Sequence, residues 1–126
     1  MKILGIDYGD KRVGLAIAES ESRAVAPFKI LENQPDLLSE LKDIIKEEDI
    51  TEIIVGLPLN LKGQATKQTQ KVQEFVNQLK KTVKLPIKTF DERLTSKIYQ
   101  RSRKKSIDDL AAMNILESFL TSLKNG

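Results

Sequence analysis

Asp7, Glu92 and the pair Asp108-Asp109 are the residues of this 126-residue chain that stand out for chemistry. Asp7 lies in Gly5-Ile6-Asp7-Tyr8-Gly9, just after Ile3 and Leu4. A carboxylate among aliphatic side chains is costly to desolvate without a partner, but it is tolerable at a strand end that opens into a site. An Asp that merely begins a turn would have the same neighbours, because Asp and Gly both favour turns. Glu92 follows another apolar run, in Phe90-Asp91-Glu92-Arg93-Leu94-Thr95. Taken alone it suits the first turn of a helix, where acids are favoured. Asp108 is in helical line with Ala111, Ala112 and Ile115, and Asp109 with Ala112, Met113 and Leu116. Periodicity does not choose between the two, and helix capping explains either.

Three acids meeting at one point would suit a hard divalent cation. Mg²⁺ takes oxygen ligands and commonly bridges protein carboxylates to substrate phosphate. In phosphodiester cleavage such an ion activates water and stabilises the attacking and leaving oxygens. Composition narrows the choice in the same direction. The chain has no histidine and no cysteine. The commonest general base, the commonest transition-metal ligand and thiolate chemistry are therefore all absent. Hydrolysis would have to run on carboxylates, hydroxyls, lysines or a metal held by oxygen.

Several basic and polar residues suit a polyanionic substrate. Lys11 and Arg12 lie beside Asp7 and could hold a phosphate. In Val55-Gly56-Leu57-Pro58-Leu59-Asn60, Gly56 permits close backbone approach and Asn60 could donate to a phosphate or sugar. The cluster Arg101, Arg103, Lys104 and Lys105 would supply phosphate contacts independent of sequence. Each is equally compatible with a solvated loop or turn. The net charge of +3 favours a polyanionic partner only mildly.

These residues must be positioned by elements that the apolar pattern outlines. Hydrophobic residues make up 40% and charged residues 31%, as expected for one packed domain over residues 1–126 with a solvated surface. Lys2–Tyr8 reads as a buried strand, residues 13–18 as a second and residues 24–31 as a third. Pro27 makes the third an edge strand or places a bulge in it. Leu37, Leu38, Leu41, Ile44 and Ile45 recur at helical spacing after Pro35-Asp36. Residues 52–55 form a short strand ending at Gly56, and residues 57–63 a loop. Val72, Phe75, Val76, Leu79 and Val83 describe a second helix, and residues 86–90 a fifth strand. Residues 93–105 read as a helix followed by a loop, and residues 108–123 as the last helix. The resulting order predicts an α/β fold: three antiparallel strands, then helix-linked strands, in a mixed five-stranded sheet with helices on both faces. The N-terminus reads directly into a strand rather than a signal peptide. No apolar run approaches the roughly 20 residues that span a bilayer. The expected location is therefore cytoplasmic.

Four segments together resemble the YqgF family, also called RuvX, of pre-16S rRNA nucleases and Holliday junction resolvase-like proteins. They are Gly5-Ile6-Asp7-Tyr8-Gly9 continuing through Arg12-Val13-Gly14-Leu15-Ala16, then Val55 to Asn60, Asp91-Glu92-Arg93-Leu94-Thr95, and Ile107-Asp108-Asp109-Leu110-Ala111-Ala112. The resemblance implies a ribonuclease H-like fold, phosphodiester cleavage dependent on Mg²⁺ or Mn²⁺, and maturation of the 5′ end of 16S ribosomal RNA. It puts the acidic residues at Asp7, Glu92 and Asp108, because Asp109 occupies the place of a small residue. It implies that Arg93 and Thr95 belong to the substrate-facing set with Lys11, Arg12, Asn60 and the 101–105 cluster. Two departures stand out. Asp10 occupies a position where a small or hydroxyl residue is usual, and the segment between Glu92 and Asp108 is shorter than usual.

Other functions fit parts of the pattern. A resolvase of four-way DNA junctions would use the same fold and metal, and would act as a symmetric homodimer, whereas an RNA nuclease can work as a monomer. Actin-like sugar kinases open with a related strand and turn, but the chain is too short for their two lobes. A non-catalytic module binding RNA or ribosomal particles would need none of the acids.

Overall fold

A computed structural model describes residues 1–92 and 107–125; for 107–110 and 124–125 it describes the backbone alone. The strands are β1 (Lys2–Tyr8), β2 (Arg12–Glu19), β3 (Val25–Glu32), β4 (Ile50–Leu57) and β5 (Ile87–Asp91). The helices are α1 (Leu37–Glu47), α2 (Lys67–Thr82) and α3 (Ile107–Asn125). The sheet order is β3-β2-β1-β4-β5. β1, β2 and β3 form an antiparallel meander, and β4 and β5 lie parallel to β1 and β4 respectively. The meander follows from short turns, and the parallel strands from crossover helices. The expected mixed sheet is the observed one. The helix-and-loop expected over 93–105 lies outside the described residues.

Strand alternation separates two cores. Leu4, Ile6, Val13, Leu15, Ile53 and Val55 pack with Leu41, Val72, Phe75 and Leu79 of α1 and α2. Ile3, Ala16, Ala18 and Ile54 pack with Ala112, Ile115, Leu116 and Phe119 of α3 on the opposite face. Helices therefore cover both faces. Tyr8 stacks on Phe75 of α2, with ring centroids 4.3 Å apart. Its neighbour Asp7 therefore falls on the α3 face, as period-two alternation requires.

β3 is an edge strand, and its register slips where Leu15 pairs with Lys29 and Ala16 with Pro27. Phe28 is the extra residue. Pro27 thus coincides with both an edge and a bulge, two devices that blunt an open sheet edge. Most boundaries fall within a residue or so of expectation, but β4 and the end of α2 differ. β4 begins at Ile50 and continues through Gly56 and Leu57, which pair with Phe90 and Asp91. Glycine looked like a strand end, yet the ladder with β5 carries the backbone past it. Val83 is buried but extended, and it ends α2 rather than continuing it. No described helix is long and apolar enough to cross a membrane.

Candidate active site

At the carboxyl end of the sheet, the α3 face carries Asp7 on β1, Gly56 on β4 and Glu92 just beyond β5. Register places them side by side: Ile6 is opposite Val55, and Gly56 is opposite Phe90. β4 stands between the two acids, so a side chain on it would keep them apart. Gly56 removes that barrier. A methyl group at Gly56 would sit 2.7 Å from Glu92 Oε1, 3.1 Å from Glu92 Cγ and 2.5 Å from Ile115 Cδ1. Glu92 therefore lies across the bare backbone of β4, with Ile115 of α3 alongside. There it shares a hydrogen bond with Asp7. The close backbone approach that Gly56 permits is that of Glu92.

Burial, chiefly, pushes the Glu92 carboxyl up from 4.5 to about 7. The adjacent Asp7 charge, the hydrogen bond with Asp7 and the charge of Asp91 push it in the same direction. Two half-buried carboxyl groups set side by side are a poor arrangement for stability. Like charges at close range raise the pKa of one partner, and such environments mark functional sites. The donors here are all oxygen and jointly anionic, which matches the demands of Mg²⁺ or Mn²⁺. The pair therefore fits the ion that the sequence pattern implies.

The direction of α3 locates the remaining acids. Leu116 covers Gly5, where an added methyl would meet its Cγ at 2.5 Å. Farther along α3, Phe119 packs edge-on against Phe90 at 6.2 Å, and the Leu120 carbonyl accepts a 2.8 Å hydrogen bond from Arg23. Arg23 lies between β2 and β3, at the amino end of β1, where Lys2 pairs with Glu19. α3 thus runs antiparallel to β1, and its first turn comes to the carboxyl end of the sheet. That turn carries Asp108 and Asp109, about 10 Å along the axis from Ile115 at 1.5 Å per residue. Their side chains lie outside the described residues. Among the described residues no three metal-binding side chains cluster together, and Asp7 with Glu92 form a pair.

The turn after β1 is held by Asn33, beyond β3, and by two residues of α2. Asn33 Nδ2 donates to the Gly9 carbonyl at 2.7 Å, and the Asn33 backbone N–H donates to the Lys11 carbonyl at 2.9 Å. Gln68 of α2 reaches the Tyr8 carbonyl at 3.5 Å. Lys71 of α2 pairs with Asp10 at 3.2 Å, so a lysine faces the unusual acid. Lys11 and Arg12 are exposed on this turn. None of Asn33, Gln68 and Lys71 stood out in the sequence. Asn33 lies just ahead of Pro35-Asp36, which reads only as the entry to a helix, and the lysine lies 61 residues from Asp10.

Asn60 is engaged within its own loop. Its Oδ1 accepts from the backbone N–H groups of Lys62 and Gln64, both at 2.9 Å, and its Nδ2 donates to Gln64 Oε1 at 3.1 Å. Arg93, Thr95, Arg101, Arg103, Lys104 and Lys105 lie outside the described residues.

A mixed five-stranded sheet in this order, backed by helices on both faces and carrying acids at its carboxyl end, defines a ribonuclease H-like domain of the nuclease class. Residues 1–122 match the RuvX family, described as Holliday junction resolvase. The chain belongs to that family. It is 41% identical to a protein of Maridesulfovibrio salexigens named "Putative pre-16S rRNA nuclease", over 95% of this chain and 98% of that one. A namesake from Thermoanaerobacter pseudethanolicus is 40% identical over 99% of each chain. Among solved structures, Thermus thermophilus RuvC in complex with a Holliday junction substrate superposes with a TM-score of 0.69. It is 11% identical and covers 100% of this chain and 96% of that one, a likeness of fold.

Proposed function

We propose that the protein is a divalent-metal-dependent endonuclease that trims structured RNA in the cytoplasm, acting at the 5′ end of pre-16S ribosomal RNA. The observation that carries this is the Asp7–Glu92 pair, two carboxyl groups brought together over Gly56 at the carboxyl end of the sheet. Asp7, Glu92 and Asp108 would hold Mg²⁺ or Mn²⁺. When bound, the ion supplies charge for the attacking and leaving oxygens of phosphodiester hydrolysis. The chain's own part is to hold the two carboxyl groups side by side across Gly56, where they would be placed to share an ion. The Asn33 and Gln68 clamps hold the turn that follows Asp7. Lys11 and Arg12 on that turn would draw the substrate phosphates toward the acids, and Arg93, Thr95 and the 101–105 cluster would extend those contacts. The relatives' name for their substrate supports precursor rRNA.

The test is cleavage of precursor 16S RNA with and without Mg²⁺ by wild type, Asp7→Asn and Glu92→Gln. Cleavage by wild type alone, and only with metal, is expected. Cleavage retained in both variants would refute the site; unchanged binding and no wild-type cleavage would indicate an RNA-binding module. The family description favours a second reading, a Holliday junction resolvase. That reading requires a homodimer and faster cleavage of a four-way DNA junction than of precursor RNA at one salt concentration.

A further inference from the structure

The loop between β4 and α2 ends in an unusual knuckle. Leu61 is 96% exposed at its tip. A solvent-facing leucine on a slack loop would carry little meaning, but this loop is not slack. The Asn60 backbone N–H donates to the Gln64 carbonyl at 3.0 Å, and the Gly63 N–H donates back to the Asn60 carbonyl at 2.9 Å. The Asn60 side chain makes the three further bonds already given. Gly63 adopts φ 78°, a left-handed conformation that favours glycine and closes the turn. The base of the loop is fixed as well. Buried Thr69 donates to the Pro58 carbonyl and forms a capping box with Thr66 at the start of α2.

The knuckle's place gives it a use. It follows β4 after only Pro58 and Leu59, so it rises from the same end of the sheet as Asp7 and Glu92. Lys62 is beside it, and Lys67 follows at the start of α2; both are exposed. A rigid apolar tip flanked by lysines suits a nucleic acid better than a protein. The lysines attract phosphates, and an aliphatic side chain can enter a base step that is already weakened. Unstacking a paired step is costly, and a bulged or branched step costs least. A wedge held rigid before binding loses little entropy when it inserts.

We propose that Leu61, on the rigid turn of residues 60–64, is a wedge that fills an opened base step beside the cleavage site. It would make the protein select bulged or branched nucleic acid over continuous duplex. The proposal deepens the nuclease reading and rests on it, but its test uses binding and so can fail independently. A bulged RNA stem with 2-aminopurine at the bulge is compared with its fully paired counterpart, in Ca²⁺, for wild type, Leu61→Ser and Leu61→Phe. Wild type should brighten the 2-aminopurine and prefer the bulged stem at least tenfold. Leu61→Ser should lose both effects while binding the paired stem as before, and Leu61→Phe should restore the preference. Because the side chain is exposed, thermal melts should match across variants. An undiminished preference in Leu61→Ser would overturn the wedge, as would wild type showing no preference. If Leu61→Ser instead reduced only co-sedimentation with small-subunit precursor particles, Leu61 would be a protein contact and the wedge would fall. Loss of metal-dependent cleavage in Asp7→Asn separately checks the nuclease reading.

Discussion

The carboxyl group of Glu92 reaches Asp7 only because β4 has no side chain between them. Gly56→Ala tests this directly. The added methyl would be placed 2.7 Å from Glu92 Oε1 and 2.5 Å from Ile115 Cδ1, so both must shift. Displacing a catalytic group by about 1 Å commonly lowers turnover on the order of 100-fold, and overpacking costs about 1–3 kcal/mol. We expect Gly56→Ala to lower kcat for RNA cleavage far more than a surface substitution of equal stability, measured by steady-state kinetics alongside urea melts. Normal turnover with normal stability would show that the glycine serves something else. Glu92 also sets a pH dependence. Its carboxyl rises from 4.5 to about 7 on folding, so the folded state favours the protonated form. This favourable contribution is fully present below pH 4.5 and is lost as pH rises through about 7. At 1.36 kcal/mol per pH unit the loss is on the order of 3 kcal/mol. In a chelator, urea unfolding should show wild type weakening from pH 5 to pH 8 and Glu92→Gln weakening much less. Equal slopes for the two proteins would contradict the assignment.

At the scale of elements, Thr69 shows how the loop that follows β4 is secured. Its side chain is fully buried, accepts from the Thr66 backbone N–H at 2.9 Å, and donates to the Pro58 carbonyl. Thr69→Val keeps the shape and strands both partners. It should lower stability by about 1–3 kcal/mol in denaturant melts, and a change within about 0.5 kcal/mol would show that water replaces the bonds. Nothing in the sequence marks Thr69 as buried, because it lies in a polar run, Lys67 to Lys71, at the start of the helix. By contrast, the apolar repeats of α1, α2 and α3 were legible, since burying one face imposes a period on the sequence, and β1 was legible as a short apolar run. β4 was read too short because Gly56 breaks the apolar run that marks it. That Asp7 and Glu92 stand at strand ends was legible from the apolar runs that precede them. That Glu92 crosses over Gly56 to meet Asp7 was not, because the gap exists only once β1, β4 and β5 are in register. The ion pair of Lys71 with Asp10 was equally hidden by sequence distance.

Across the whole molecule, the net charge of +3 is small, so its placement matters more than its size. Lys11, Arg12, Lys62 and Lys67 are all exposed, on segments at the carboxyl end of the sheet that also holds Asp7 and Glu92. They would offset the acids' repulsion of phosphate. Each phosphate contact contributes roughly 0.7–0.9 to the slope of log affinity against log salt. Lys62→Ala combined with Lys67→Ala should therefore flatten that slope by about 1.5 for RNA binding, without loss of metal-dependent turnover at saturation. An unchanged slope would place the nucleic acid elsewhere.

The most direct measurement is calorimetric titration of Mn²⁺ into the protein at pH 7, in buffers of differing ionisation heat, for wild type, Asp7→Asn and Glu92→Gln. We expect wild type to bind the ion and release part of a proton from Glu92, and both variants to bind at least tenfold more weakly, with no such release from Glu92→Gln. Equal affinity in all three proteins would mean that Asp7 and Glu92 do not hold the ion together.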